Sequence, residues 1–360
     1  MTTDAVGGVW TYSLELIRQL ENKGVDITLA TMGPLPTDEQ LRELESSAHV
    51  RLYMSDYDLE WTEDPWLDVE QAGIWLKEIE KKDHPDLVHL NGYVHASLDW
   101  TVPCLVVGHS CVLSWWQAVK GEEAPEHLDR YRSEVRNGLR SADMVIAPSA
   151  TMLNALESNY GPFEASRVVF NGRDSRMFLP AEKKPFVFTA GRAWDEAKNI
   201  ATVERAAHNI RWPVYIAGGD SQAGNKENVH HLGRLGPHEM AEYYDSASIY
   251  VLPARYEPFG LSALEAALAG CALVLGDIPS LREIWGESAL FVSPDDENGI
   301  IEAVNSLIAD HSSMMEMSHR AITTALRYTT ERMVNDYLSA VLCILPRFVT
   351  LGMEEKICES

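Results

Sequence analysis

Two carboxylates with seven residues between them, Glu257 and Glu265, occupy the stretch "EPFGLSALEAALAGCALVLGD". Ionised carboxylates accept hydrogen bonds from hydroxyl groups, so a pair of them beside a Pro-Phe-Gly-Leu turn can hold a polyhydroxylated ligand. A local explanation competes. Ser262 is a good helix N-cap, and Ser262 with Glu265 matches a capping box, with Glu257 a solvated loop acid. The capping box leaves Glu257 unexplained. The amides of Phe259, Gly260, Leu261 and the two residues after them, at the start of a small-residue helix, form a natural anion site. A glutamate there makes sense only if it points at hydroxyls rather than at a phosphate.

Cations that could hold a small anionic ligand lie in "FTAGRAWDEAKNI" (188–200). A strand runs into Gly191-Arg192, and Lys198 follows six residues after the arginine. A planar guanidinium fork and an ammonium point charge suit a diphosphate, and the carboxyl end of a parallel strand is where α/β sheets bind ligands. The competing reading is a solvated Arg and Lys on a loop. Gly7 and Gly8 precede a helix whose first turn carries no acid, so they are either a close backbone approach for a phosphate or sugar, or a plain turn. His109 ends a strand in "CLVVGHSCVLSWW", and Trp115 and Trp116 after it offer flat apolar surface for a sugar ring or for ordinary packing. Cys111 near His109 lacks an orienting third group for nucleophilic catalysis.

The elements that must position these residues read as a repeated strand, loop, helix rhythm, hence parallel sheets covered by helices. "VDITLATM", "DLVHLNG", "CLVVGH" and "DMVIAP" are the buried strands of a first half. "FVFTAG", "PVYIAGG", "SIYVLPA" and "ALVLGD" are those of a second. Trp10, Leu14, Ile17 and Leu20 mark an amphipathic helix over Val9–Glu21. The polar, proline-bounded segment 170–185 is the expected interdomain linker. Only Met1–Asp4 can supply an opening strand; the chain either lacks most of it or its start is set late. A helix is expected at about Glu331–Leu342, followed by a loosely held tail.

The 360 residues exceed what one core usually serves, so two domains are expected. A hydrophobic content of 46% is that of a globular protein, and the apolar runs are too short to span a bilayer. No secretion signal opens the sequence, and five scattered cysteines point to reduced thiols, so a cytoplasmic location is expected. A net charge of −24 opposes nucleic-acid binding and docking on an anionic membrane. It still leaves room for a small anion held by local cations.

Taken in order, these motifs resemble the family 4 retaining glycosyltransferases of GT-B architecture. Glu257 and Glu265 match the family's paired glutamates, and Gly191-Arg192 with Lys198-Asn199 its diphosphate clamp. "VIAPS" at Val145–Ser149 and "FNGRDSRMF" at Phe170–Phe178 match the end of its first domain, and Gly7–Val9 its amino-terminal glycine loop. Arg173 departs from the pattern, which has a small apolar residue there. The resemblance implies two Rossmann-like doubly wound domains facing a cleft: 1–175 on the acceptor side, 176–328 binding the nucleotide sugar, and a helix in 329–360 returning to the first domain. It implies transfer of a hexosyl group, with retention, from a nucleotide-diphosphate sugar of UDP-glucose or GDP-mannose type to a small or carbohydrate acceptor. No cofactor and no metal are implied.

By the same likeness, Glu265 holds the ribose hydroxyls and Glu257 those of the transferred sugar. Arg192, Lys198 and the amides of Phe259, Gly260 and Leu261 neutralise the diphosphate. His109 touches the sugar or its phosphate from the first domain. Gly233 and Arg234 bear on the choice of base, and Trp115 and Trp116 on the acceptor. The acidic, aromatic loop Ser55–Trp66 is either a sugar-stacking rim or a solvated loop. The rival readings are a nucleotide-sugar binder without turnover, a GT-B-shaped epimerase and a phosphorylase. A dinucleotide-dependent dehydrogenase fits poorly, because no Gly-x-Gly-x-x-Gly follows a strand.

Overall fold

The computed structural model describes residues 1–45, 47–178, 180–192, 194–218 and 228–345. The chain divides into two compact units. One comprises Met1–Ser114, Glu123–Gly172 and the chain from Thr330 on; the other comprises Trp115–Glu122 and Arg173–Thr329. The change from one unit to the other at Gly172 and Arg173 falls inside the segment expected to be the linker.

In the first unit, β1 (Thr2–Asp4), β2 (Ile27–Met32) and β3 (Val50–Met54) form a parallel sheet in that order. A second parallel sheet contains β4 (Val88–Leu90), β5 (Cys104–Val107), β6 (Met144–Ala147) and β7 (Ser166–Val168). The opening strand is three residues long, yet it pairs Thr2 with Ala30 and Asp4 with Met32. Asn91 links the two sheets. Its backbone N–H donates to Thr2 Oγ1 at 3.0 Å and its Nδ2 to the Thr2 carbonyl at 2.8 Å. The amphipathic helix, expected from Val9, spans Gly8–Glu21. It buries Trp10, Leu14 and Ile17 in a cluster shared with Met333, Val334 and Tyr337 of the helix Thr330–Ile344. Each fully buried side chain of this kind contributes about 1.5–3 kcal/mol relative to exposure.

The second unit is built on one six-stranded parallel sheet. Its strands are β8 (Lys184–Ala190), β9 (Val214–Ala217), β10 (Val229–Gly233), β11 (Ala247–Leu252), β12 (Ala272–Gly276) and β13 (Leu290–Val292). Their spatial order is β10-β9-β8-β11-β12-β13. The chain starts at β8, winds outward through β9 and β10, then returns to β11 on the opposite side. The loops after β8 and β11 therefore diverge, which makes a crevice at the carboxyl ends of those two strands. Valines and isoleucines of the central strands, among them Val187, Ile216, Ile249 and Val274, are fully buried, as strands covered by helices on both faces require. Among the described residues, no helix is long and apolar enough to cross a membrane.

Candidate functional site

The second unit concentrates most of the singled-out residues at its switch point. Arg192 lies two residues beyond β8, and Glu257 lies in the loop after β11. Asn199 joins the two loops. It adopts the left-handed conformation (φ 56°), and its Nδ2 donates to the carbonyls of Pro253 at 3.0 Å and Pro294 at 2.6 Å. That bridge sets Lys198 against Glu257: Nζ forms an ion pair with Oε2. The other carboxylate oxygen accepts the Gly260 amide at 3.0 Å, and the Glu257 carbonyl accepts from Ser280 Oγ at 2.5 Å. Glu257 is 9% exposed and fixed at three points, so it is not a solvated loop acid.

The helix that follows spans Leu261–Leu268, with Gly260 at the N-cap and no side-chain cap. Gly260 has φ 92°, and a Cβ there would lie 3.2 Å from Leu281 Cδ2, so only glycine fits this turn without strain. Ser262 falls inside the first turn rather than at the cap. The competing capping box does not form, for two reasons: the glycine starts the helix earlier, and Glu265 is engaged elsewhere. Glu265 Oε1 lies 3.0 Å from Arg173 Nε, with both side chains largely covered. Burial raises the Glu265 pKa, and Arg173 opposes that rise. The Phe259 ring is buried edge-on against Tyr328, with centroids 5.5 Å apart, and Leu261 is half-buried.

Arg192 donates from Nη2 to Asp195 Oδ2 at 2.8 Å and lies over the Trp194 ring, 4.9 Å from its centroid. Its Nε is buried with no acceptor among the described residues. Burial works against the Asp195 charge, but Arg192, Lys198 and the Ala197 amide outweigh it and hold this carboxyl below the usual range. Asp195 is thus the anion shared by Arg192 and Lys198. Its Oδ1 also accepts from Trp115 Nε1 at 3.4 Å. Trp116 lies edge-on to Trp115 at 6.1 Å. Gly233 closes β10 with φ 70°, and Arg234 is exposed beside it.

The first unit holds Gly7, Gly8 and His109. Gly7 (φ 77°, ψ −133°) precedes the helix Gly8–Glu21, whose first turn carries no acid; both glycines are exposed. His109 Nε2 is 2.8 Å from Asn91 Oδ1, and His89 Nε2 is 3.0 Å from the same oxygen. The Asn91 amide cannot be reversed, because its Nδ2 must donate to the Thr2 carbonyl. Both histidines therefore carry their proton on Nε2, and Nδ1 of each is an acceptor. For His89 that acceptor meets the Tyr337 hydroxyl at 2.9 Å. Burial lowers both imidazole pKa values to about 3, so both rings are neutral at pH 7. Tyr12 packs edge-on against His109 at 4.5 Å.

Two further features raised by the sequence, Cys111 and the loop Ser55–Trp66, have local partners. Cys111 is buried with its sulfur 3.0 Å from the Tyr160 hydroxyl, which fits a packed thiol better than a nucleophile. In the acidic loop, Glu60 is buried and accepts the amides of Tyr93 and Val94, so it serves the backbone. Asp295 and Asp296 are likewise spent, on Arg255 and on the Gly299 amide at the start of the helix Glu297–Ala309. Sequence reasoning passed over Asp195 and Asn91, and named Asn199 only beside Lys198 in the clamp motif. Asp195 stands three residues from both Arg192 and Lys198, a spacing that could have drawn notice. The Asn91 contacts reach residues 2, 13, 89 and 109, and no local pattern announces them.

The fold is that of the GT-B glycosyltransferases. A solved sucrose-phosphate synthase from Thermosynechococcus elongatus superposes with a TM-score of 0.80 at 20% identity, covering 96% of each chain. HepE of Anabaena, solved in complex with UDP and glucose, gives 0.74 at 16% identity, covering 94% of this chain and 98% of HepE. The sequence matches the family model of glycosyl transferases group 1 over residues 172–325 and that of Glycosyltransferase Family 4 over 6–176. The chain belongs to the family 4 glycosyltransferases. Among its relatives, a glycogen synthase of Mycobacterium tuberculosis is 27% identical over 88% of this chain and 86% of that protein. A D-inositol 3-phosphate glycosyltransferase of Nocardia farcinica is 22% identical over 94% of this chain and 86% of that protein.

Proposed function

We propose that this glycosyltransferase moves a hexosyl group from a nucleotide-diphosphate sugar to an acceptor hydroxyl in the cytoplasm, with retention at the anomeric carbon and without a metal ion. The observation that carries the reading is the Lys198–Glu257 ion pair at the switch point, with Arg192 tied into it through Asp195. Arg192 and Lys198 neutralise the diphosphate as it leaves, a role that a divalent cation fills in other phosphoryl and glycosyl chemistry. Glu257 accepts hydroxyls of the transferred sugar and Glu265 those of the ribose. The backbone around Phe259, Gly260 and Leu261 lies against the phosphates. Gly7 and Gly8 admit the ligand close to the backbone, and the neutral His109 offers Nδ1 as an acceptor to a sugar hydroxyl.

The acceptor oxygen bonds to the anomeric carbon as the bond from that carbon to the phosphate oxygen breaks. The departing phosphate takes the acceptor's proton, and attack comes from the face it leaves. Both Glu257 oxygens already accept hydrogen bonds, from Lys198 and from Gly260, which weakens the case for Glu257 as a nucleophile. The UDP and glucose bound to HepE favour a UDP-glucose type of donor over the GDP-mannose type. Trp115 and Trp116 are the proposed contacts for a small or carbohydrate acceptor. Steady-state kinetics of Arg192→Ala and Lys198→Ala test the reading. Each should lower kcat by about 10²–10³ and weaken donor binding by about tenfold, the larger loss falling on kcat because these groups act most on the developing charge. Near-normal turnover in both variants contradicts it.

A further inference from the structure

We propose that Arg173 is a positioning residue of the donor site, holding Glu265 as the buried anion that accepts the ribose hydroxyls. The inference rests on the assignment of Glu265 to the ribose given above. Arg173 is anchored on three sides. Its amide donates to the Tyr328 carbonyl at 3.1 Å, its backbone bridges to Thr329, and its guanidinium lies over the Phe178 ring, 5.3 Å from the centroid. From that position Nε reaches Glu265 Oε1 at 3.0 Å, with the two side chains 10% and 15% exposed.

The other groups around Glu265 cannot replace this charge. Tyr244, from the helix Pro237–Ser246, and Tyr250, from β11, act on it as neutral hydroxyls, because burial pushes both phenols up. Lys183 spends its ammonium on the carbonyls of Tyr244 and Ala269. The helix His311–Ala325, packed against the Glu265 helix, buries Ser318 and leaves His319 and Arg320 at the surface. Cys271, ahead of β12, is a buried thiol whose pKa is pushed up to about 11. A buried carboxylate without a cation partner protonates rather than stay charged. A protonated Glu265 would lose its charge-assisted bonds to hydroxyls. Arg173 therefore keeps Glu265 charged, and nucleotide binding with it, to lower pH than burial alone would allow.

Calorimetric titration with UDP and with GDP, from about pH 6 to about pH 9, tests this on wild type, Arg173→Ala, Arg173→Lys and Glu265→Gln. The nucleotide that wild type prefers should bind Arg173→Ala about tenfold more weakly at the acid end, a deficit that shrinks as the pH rises. Arg173→Lys should show a smaller deficit of the same pH sign, and it carries the comparison if the alanine variant does not fold. Glu265→Gln should be weakened equally at every pH. An Arg173 deficit that is absent or independent of pH, with Glu265→Gln still impaired, overturns the role of Arg173. Wild-type affinity in Glu265→Gln instead overturns the assignment of Glu265 to the ribose.

Discussion

A lysine paired with a buried glutamate can lend its charge to a second anion only if the carboxylate keeps another donor, and the Gly260 amide is that donor for Glu257. Glu257→Gln removes the charge while preserving the shape. It should lower kcat by about 10²-fold or more and change donor KM by less than tenfold, read from initial rates. The Asn91 amide makes a second residue-level prediction. His109 should remain neutral and protonated on Nε2 from about pH 8 down to about pH 5, which nitrogen-15 imidazole shifts report directly. Asn91→Leu should release that tautomer. The acids and cations of the second unit were legible in the sequence because they fall in two short stretches, 192–198 and 257–265. The Arg173–Glu265 ion pair was not legible, because the two residues stand 92 positions apart in the chain.

At the scale of elements, the crevice depends on a tight glycine turn between β11 and the helix Leu261–Leu268. Gly260→Ala puts a Cβ into a left-handed turn and against Leu281. We expect a loss of about 1–3 kcal/mol in denaturant-measured stability, with weaker nucleotide binding because the amide that holds Glu257 moves. Eight strands were visible as short apolar runs, with boundaries off by one or two residues, whereas β3, β7, β10 and β13 went unread. The cap was misread. Ser262 has good capping chemistry, but the backbone enters the helix through Gly260 and leaves Ser262 inside the first turn. Propensity identifies candidates for a cap, and the φ of the preceding residue decides which one serves.

At the scale of the molecule, acid should be destabilising. His89 is buried with its pKa lowered to about 3, against about 6.5 for an exposed imidazole. The unfolded chain therefore binds the extra proton between those values, and stability present above about pH 6.5 is lost as the pH falls toward 3. A single such group contributes a slope of up to about 1.4 kcal/mol per pH unit. His89→Gln should flatten the fall of Tm between about pH 6.5 and 5, a range above most carboxylate titrations. The discontinuous make-up of the first unit, closed by the helix Thr330–Ile344, rests on contacts between chain ends that composition cannot reveal.

The account stands most directly on one measurement: calorimetric titration of UDP-glucose and GDP-mannose into wild type and Lys198→Ala, with Tm followed in parallel. One of the two donors should bind wild type and stabilise it by about 2.7 kcal/mol at a hundredfold excess over Kd, and Lys198→Ala should bind that donor at least about tenfold more weakly. Binding of neither donor, or an unchanged affinity in Lys198→Ala, contradicts the account.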